Sequence, residues 1–143
     1  MSKMIFVNLP VRDLAKATAF YEAVGFQKNE MFSDDTASGM VLSDIIHVML
    51  LTHDKFSQFT PRRIAQAHET CQVMLALSAE GRAEVDGTLD KAIMAGGREH
   101  REREDLSFMY SRAFEDLDGH VWELFFMDVA EAQKVKEAEA VPA

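Results

Sequence analysis

The chain of 143 residues carries one cysteine, Cys71, and no hydrophobic run that approaches the roughly 20 residues needed to span a bilayer. A single cysteine cannot close an internal disulfide, which excludes a disulfide-stapled scaffold and suits a reducing compartment. Its apolar neighbours predict a buried structural thiol. Basic residues are also scarce: 15 Lys and Arg against 24 Asp and Glu leave a formal net charge of −9. That balance argues against nucleic acid, whose phosphates call for clustered Lys and Arg, and favours neutral or cationic small ligands. The chain opens on a strand-like segment without a basic, apolar and small-residue leader, so a cytoplasmic protein with no membrane partner is expected. No Ser-His-Asp arrangement or Gly-rich phosphate cradle is present, which gives nucleophilic hydrolysis and nucleotide binding little support.

What is present is a core-forming composition, 48% hydrophobic, in a chain long enough for one domain. Met4 to Val11 alternates as a strand, with Ile5, Val7, Leu9 and Val11 on one face and Phe6, Asn8 and Pro10 on the other. Asp13 is a helix N-cap, followed by Leu14, Ala17, Phe20, Tyr21 and Val24 at helical spacing until Gly25 stops the helix. Three shorter strand-like pieces fill Phe26 to Leu51, broken at Ser33-Asp34-Asp35 and at Ser43-Asp44. The last of them, Ile45 to Leu51, is apolar apart from His47.

His53 to Thr70 loses the periodicity. It predicts a linker with a short helix after Pro61, serving either as a flap over a pocket or as a plain mobile connection. The pattern then begins again: a strand at Cys71 to Leu77, and a helix at Glu80 to Ala95 with Val85, Leu89, Ala92 and Ile93 inward. Gly96-Gly97 ends that helix, a charged edge strand follows at Arg98 to Arg103, and a further strand runs from Ser107 to Phe114. The last strand follows the tight-turn signal Asp118-Gly119. In it His120, Trp122, Leu124 and Phe126 share one face, and Val121, Glu123 and Phe125 the other. Glu123 is thus a carboxylate among hydrophobes and requires a partner, a metal, a ligand or solvent opposite it. Trp122 is placed between sheet and helix, and His120 is read as structural. His53, His68 and His100 fall in loop or edge segments and are read as solvated. Asp128 can cap a short C-terminal helix, with Val129, Ala132 and Val135 as a weak stripe and a frayed tail beyond.

The two halves therefore repeat one unit of strand, helix, glycine stop and three strands. Overlaid, Ile45 to Leu51 falls on Gly119 to Phe125, with Met49 opposite Glu123. This duplicated β-α-β-β-β unit, with Leu9-Pro-Val-Arg-Asp-Leu14 running into Phe20-Tyr21 and Gly25-Phe26, and with Phe114-Glu-Asp-Leu-Asp-Gly-His-Val-Trp-Glu-Leu124, resembles the vicinal oxygen chelate superfamily. That superfamily includes glyoxalase I, the bleomycin and fosfomycin resistance proteins and the extradiol dioxygenases. The resemblance covers about Met4 to Met127. It implies an α+β fold of two modules, about 3–53 and 71–127 joined by the linker 54–70, forming a single domain over 1–127. Their curled mixed sheets form a cavity, with helices outside, and 128–143 make a short helix and tail. It also implies a homodimer.

Metal-dependent members of the superfamily place one ligand on each of four strand positions. Carried over, these are Phe6, Met49, Gln72 or Met74, and Glu123, of which only Glu123 is a ligand for a divalent ion. No cofactor is therefore expected. The positions describe instead a pocket for a small organic molecule, with Phe6, Met49 and Met74 as apolar surface and Asn8, His47 and Glu123 as polar groups. Tyr110, Arg112 and Phe114 share a strand face. Tyr110 and Arg112 are counted among the ligand-lining candidates, although a period of two equally allows this face to pack under a helix. His47, with a reference pKa of about 6.5, is open to two readings: a general base, or a core or rim histidine with its hydrogen bonds satisfied. The chain is expected to be a binder in the manner of the bleomycin resistance proteins. The alternative is a divalent-metal lyase or dioxygenase of glyoxalase I or extradiol type that uses His47 and Glu123 as catalytic groups.

Overall fold

The computed structural model describes residues 2–140 and has a mixed α+β architecture. By contact pattern the chain forms two units. One runs up to Gln72 and includes Asp116–His120, and the other is Val73–Glu115 together with the chain from Val121 onward.

The first unit contains strand β1 (Ile5–Val11), helix α1 (Leu14–Ala23), the short strand β2 (Gln27–Asn29) followed by a 3-10 turn (Glu30–Phe32), strands β3 (Ala37–Val41) and β4 (Ile46–Thr52), and helix α2 (His53–Ser57). Its sheet runs β1-β4-β3-β2, with β1 parallel to β4 and the other pairs antiparallel. Leu9, Val48, Leu50 and Met40 lie on the sheet face turned to α1, where Ala17, Phe20 and Tyr21 are also buried. Thr18 and Ser38 share a hydrogen bond of 2.7 Å across the same contact. Burying a side chain the size of Phe20 contributes about 1.5–3 kcal/mol, so this contact is the core of the unit. Asp13 caps α1 by accepting from Lys16 N at 3.0 Å, and Gly25, at φ +112°, supplies the left-handed residue that ends it.

Helix α2 replaces the short helix expected after Pro61. The Thr52 hydroxyl at the end of β4 caps it by accepting from Lys55 N at 3.2 Å, whereas beyond Thr60 the hydroxyl takes Arg62 N in a local turn instead. The linker is not loose throughout. Arg12 Nη2 donates to Gln66 Oε1 at 3.1 Å, and the Gln66 carbonyl accepts from Glu69 N and Thr70 N. Cys71, expected to be buried, is exposed, because strand β5 starts only at Met74 and leaves the thiol on the connecting segment.

Asp118-Gly119 does not form a two-residue hairpin turn. The loop is the five residues Asp116–His120, closed by Asp116 N donating to His120 O at 3.0 Å. The Asp116 side chain builds it: Oδ1 accepts from Asp118 N and His120 N, both at 2.9 Å, and Oδ2 accepts from the Tyr21 hydroxyl at 2.5 Å. A short polar side chain bonding backbone two and four residues ahead competes with the hairpin turn and here wins. Burial pushes the Asp116 carboxyl above the usual carboxylate range, with His120 and the Tyr21 hydroxyl opposing. His120 is structural, as expected, donating from Nε2 to Pro10 O at 2.8 Å. Gly119 has φ +91°, and a Cβ there would lie 2.7 Å from His68 N and 2.8 Å from Ala67 C.

The second unit contains strand β5 (Met74–Ser78), helix α3 (Arg82–Met94), the short strands β6 (Arg98–Glu99) and β7 (Glu104–Asp105), strands β8 (Met109–Glu115) and β9 (Val121–Met127), and helix α4 (Val129–Ala140). Its sheet runs β5-β9-β8-β6, with β7 also on β8 and β5 parallel to β9. This is the strand order of the first unit over again, and neither sheet closes on itself. Val85, Leu89 and Ala92 of α3 are buried, as are Trp122 and Leu124 of β9. Ile93, expected inward, is 43% exposed because Ala92 takes the innermost phase of the stripe. Of the edge strand expected at Arg98 to Arg103 only Arg98–Glu99 (β6) forms, and β7 follows it after 100–103. Asp128 caps α4 by accepting from Glu131 N at 3.0 Å. The helix is longer than expected, reaching Ala140, and none of its residues is buried. The expected frayed end at 141–143 lies outside the described residues. No helix of the described chain is long and apolar enough to cross a membrane.

Two substitutions test the loop. Gly119→Ala is expected to destabilise by more than about 1 kcal/mol, the cost of a left-handed L-residue, with backbone overlap added. Tyr21→Phe is expected to cost about 1–3 kcal/mol by leaving the buried Asp116 short of a donor. Urea midpoints measure both, and unchanged values would show that the loop is not held by these contacts.

Candidate functional site

The strand registers decide which side chains share a face. In the first unit Phe6 pairs with His47, Asn8 with Met49, and Met49 with Gly39 on its other side. In the second, Met74 pairs with Val121, Ala76 with Glu123, and Glu123 with Ala113. Met49 and Glu123 therefore hold equivalent places in the repeat, and so do Phe6 and Met74. The register selects Met74 over Gln72 for the third family position, since Gln72 precedes the strand.

Phe6, Asn8, His47 and Met49 lie together on the sheet face of the first unit away from α1. The rings of Phe6 and His47 stack across the parallel strands, centroids 4.4 Å apart and 17° from coplanar. Phe6 is nevertheless 45% exposed, so the stack is open to solvent. His47 Nε2 donates to the Asp44 carbonyl at 3.0 Å, which places the lone pair of the neutral ring on Nδ1. On the far side of Met49, a Cβ on Gly39 would stand 2.9 Å from Phe32 Cβ, so only glycine fits beneath the turn that flanks this face. A polar cavity of about 100 Å³ beside Gly119 is lined by Arg12, His53, Gln66, Asp118 and His120, and His53 stays exposed, as expected.

Glu123 lies on the sheet face of the second unit away from α3. Its partner is Arg101, from the segment between β6 and β7. Arg101 Nη2 donates to Glu123 Oε1 at 2.5 Å and to Ser111 Oγ at 2.8 Å, and Nη1 donates to Glu102 O at 3.1 Å. The requirement that Glu123 have a partner was legible in the sequence. The identity of that partner was not, because nothing in the spacing of Arg98, Arg101 and Arg103 says which guanidinium meets Glu123 and which meet Glu115 and the Tyr110 hydroxyl instead.

Tyr110 and Arg112 do not join the proposed lining. Both point to the α3 side of the sheet, where the Tyr110 hydroxyl donates to Asp86 Oδ1 at 2.6 Å and Arg112 Nη1 donates to the same oxygen at 2.8 Å. Arg112 also grips Glu99 in a bidentate pair, Nε to Oε2 at 2.9 Å and Nη2 to Oε1 at 3.0 Å. Arg112 is 6% exposed. A guanidinium so buried has to be paired, and two carboxylates beside it are what draw it under the helix. The Tyr110 hydrogen bond, with Arg112 adding to it, holds Asp86 below its ordinary carboxylate value. Arg112 does the same for Glu99. Burial, then Asp86, push the Tyr110 phenol up, and the Arg112 guanidinium is held firmly charged.

The donors do not fit the divalent ion that the fold family implies. Among the described residues no group of three or more His, Cys, Asp or Glu is gathered so as to hold one. Glu123 already carries a cationic partner.

The doubled strand order matches what comparison with known proteins finds. Residues 3–124 match the Glyoxalase/Bleomycin resistance protein/Dioxygenase superfamily, and the chain belongs to it. Among solved structures, the hypothetical protein SA1046 from S. aureus is 29% identical, with a TM-score of 0.74, over 88% of this chain and 95% of that one. A glyoxalase/bleomycin resistance protein/dioxygenase family enzyme from Burkholderia phytofirmans PsJN is 20% identical, with a TM-score of 0.73, over 88% and 99%. The fosfomycin resistance protein FosX from Mesorhizobium loti is 20% identical, with a TM-score of 0.63, over 93% and 96%. No curated protein matches the chain.

The Arg112 cluster gives a pH test. A depressed acid contributes stability that is fully present above its unfolded value and is lost as pH falls through the folded one. The stability difference between the wild type and the Asp86→Asn/Glu99→Gln variant should be constant above the ordinary Glu value of 4.5 and narrow as pH falls below the ordinary Asp value of 3.8. Asp116 shifts the other way but is common to both proteins and cancels. A difference that does not vary with pH would show that the two carboxylates are not held by Arg112.

Proposed function

We propose that this protein binds a small organic molecule on the sheet face formed by Phe6, Asn8, His47 and Met49, without a divalent-metal centre. The observation that supports this reading is the open Phe6–His47 stack. A pair of rings left half-exposed on a sheet presents apolar, polarisable surface, with the Met49 thioether beside it to adapt to ligand shape and Asn8 to supply directional hydrogen bonds. The formal charge of −9 favours neutral or cationic ligands at such a surface. In this reading His47 is a platform residue, since its Nε2–H is committed to Asp44. The metal-dependent lyase or dioxygenase reading asks Glu123 and His47 to share an ion, and the Arg101 partner of Glu123 opposes it. A homodimer in the cytoplasm belongs to the same proposal. It rests on the family resemblance and the lone cysteine, and sedimentation of a stable monomer would remove the dimer.

A thermal-shift screen with fosfomycin, bleomycin, quinones and thiol adducts is the direct test, because a ligand at a hundred times its Kd stabilises by about 2.7 kcal/mol. For any compound that shifts the wild type, calorimetry should show Phe6→Ala binding about tenfold more weakly, the loss of one ring contact. Phe6 is partly exposed, so the variant should keep the wild-type melting temperature closely enough for the comparison to hold. Equal affinity in Phe6→Ala and in Met49→Trp would show that the ligand sits elsewhere.

A further inference from the structure

The sheet face of the second unit holds an ion pair that is not part of the ligand surface proposed above. We infer that Arg101 is a built-in cation standing where the superfamily's metal-dependent members hold a divalent ion, and that the Arg101–Glu123–Ser111 cluster excludes such an ion from this protein. The inference does not depend on which ligand binds at Phe6.

The argument begins with Glu123. Its neighbours across the strands are Ala76 and Ala113, methyl groups that offer no hydrogen bond, so the carboxylate has to find its partner above the sheet. It is partly buried, its side chain 26% exposed, which makes an unpaired charge costly and leaves room for a partner to approach. Arg101 fills that room. One guanidinium nitrogen bridges Glu123 and Ser111, and the other is tied to the backbone carbonyl of Glu102.

Three contacts on two nitrogens orient the planar group, which a single lysine ammonium at this place would not match. The backbone sets the approach. β6 ends at Glu99, His100 N still donates to Ala113 O of β8 at 2.8 Å, and β7 rejoins β8 at Glu104, so 101–103 are the residues free to reach over the β8–β9 pair. The charged run Arg98 to Arg103, which reads as a solvated edge, thus delivers Arg101 to Glu123, while Arg98 and His100 of the same run meet Glu115.

A divalent ion arriving at Glu123 would meet a fixed positive charge within hydrogen-bond distance of the same oxygen. It would also find no second anionic or imidazole donor in that set, since Ser111 Oγ is neutral and already engaged. Binding the ion would require the guanidinium to swing out and give up its three contacts. The cluster therefore does the charge-balancing of a metal site with a covalently attached cation, at the cost of any coordination chemistry there.

Two measurements on the full-length protein test this. Calorimetric titration of the wild type with Zn²⁺, Ni²⁺ and Mn²⁺ should show no saturable binding that depends on Glu123. A thermal-melt cycle of wild type, Arg101→Met, Glu123→Gln and the double variant should show each single change lowering the melting temperature. The double variant should melt no lower than the worse single, because both remove the same interaction. Stoichiometric metal in the wild type that is lost in Glu123→Gln would overturn the inference. So would single shifts that simply add. If Arg101→Met does not fold, Arg101→Gln, which removes the charge but stays polar, takes its place in the cycle with the same expected outcome.

Discussion

The parallel pairing of the first and last strands in each repeat is the constraint on which the site depends. Parallel partners cannot be joined by a tight turn, so a helix and two further strands have to intervene. That is why each unit has the order first, last, middle, short edge. The pairing also sets register: β1 on β4 puts Phe6 beside His47, and β5 on β9 puts Ala76 beside Glu123. A slip of one residue in either pair would turn every one of these side chains to the helix side and bring core residues such as Val48 or Trp122 to the open face.

Two buried charged residues then specify what the apolar layers leave undetermined. In the first unit Asp116 accepts from Tyr21 of α1 and from two amides of its own loop, so its side chain is both a turn and a helix contact. In the second unit Arg112 is shared between Asp86 of α3 and Glu99 of β6. Each sits inside an otherwise hydrophobic layer where a mispositioned partner would leave a charge without compensation, and so each favours one helix placement over its neighbours. On the open face of the second unit ion pairs join Arg101 to Glu123 and His100 to Glu115. One scaffold can host different chemistries because function lives in the site residues and not in the fold.

The helices, the glycine stops, the repeat and the alternation of the long strands were legible in the sequence. Asp13 capped the helix it announced, and Gly25 and Gly96 both took the left-handed conformation after their helices. Misreadings fell where side chains compete for backbone groups. The helix after Pro61 gave way to one capped by Thr52, and the Asp118-Gly119 turn became a larger loop organised by Asp116. Tyr110 and Arg112, counted among the lining candidates with packing under a helix left open, lie on the helix side, because alternation gives two faces without saying which one a helix covers.

The sequence by itself carried the family resemblance in its motifs, and it determined the doubled architecture and the odd position of Glu123, since these two follow from periodicity, from glycine and proline chemistry, and from the expense of placing a carboxylate among hydrophobes. Only the tertiary structure decided what meets that carboxylate. Arg101 lies 22 residues away along the chain, on a segment too charged and too short to carry a pattern, and it reaches Glu123 because β6 and β7 both pair with β8 and leave a loop between them. Ion pairs between distant residues depend on geometry that local spacing does not encode, and for this protein that geometry sets a guanidinium where a metal would otherwise be sought.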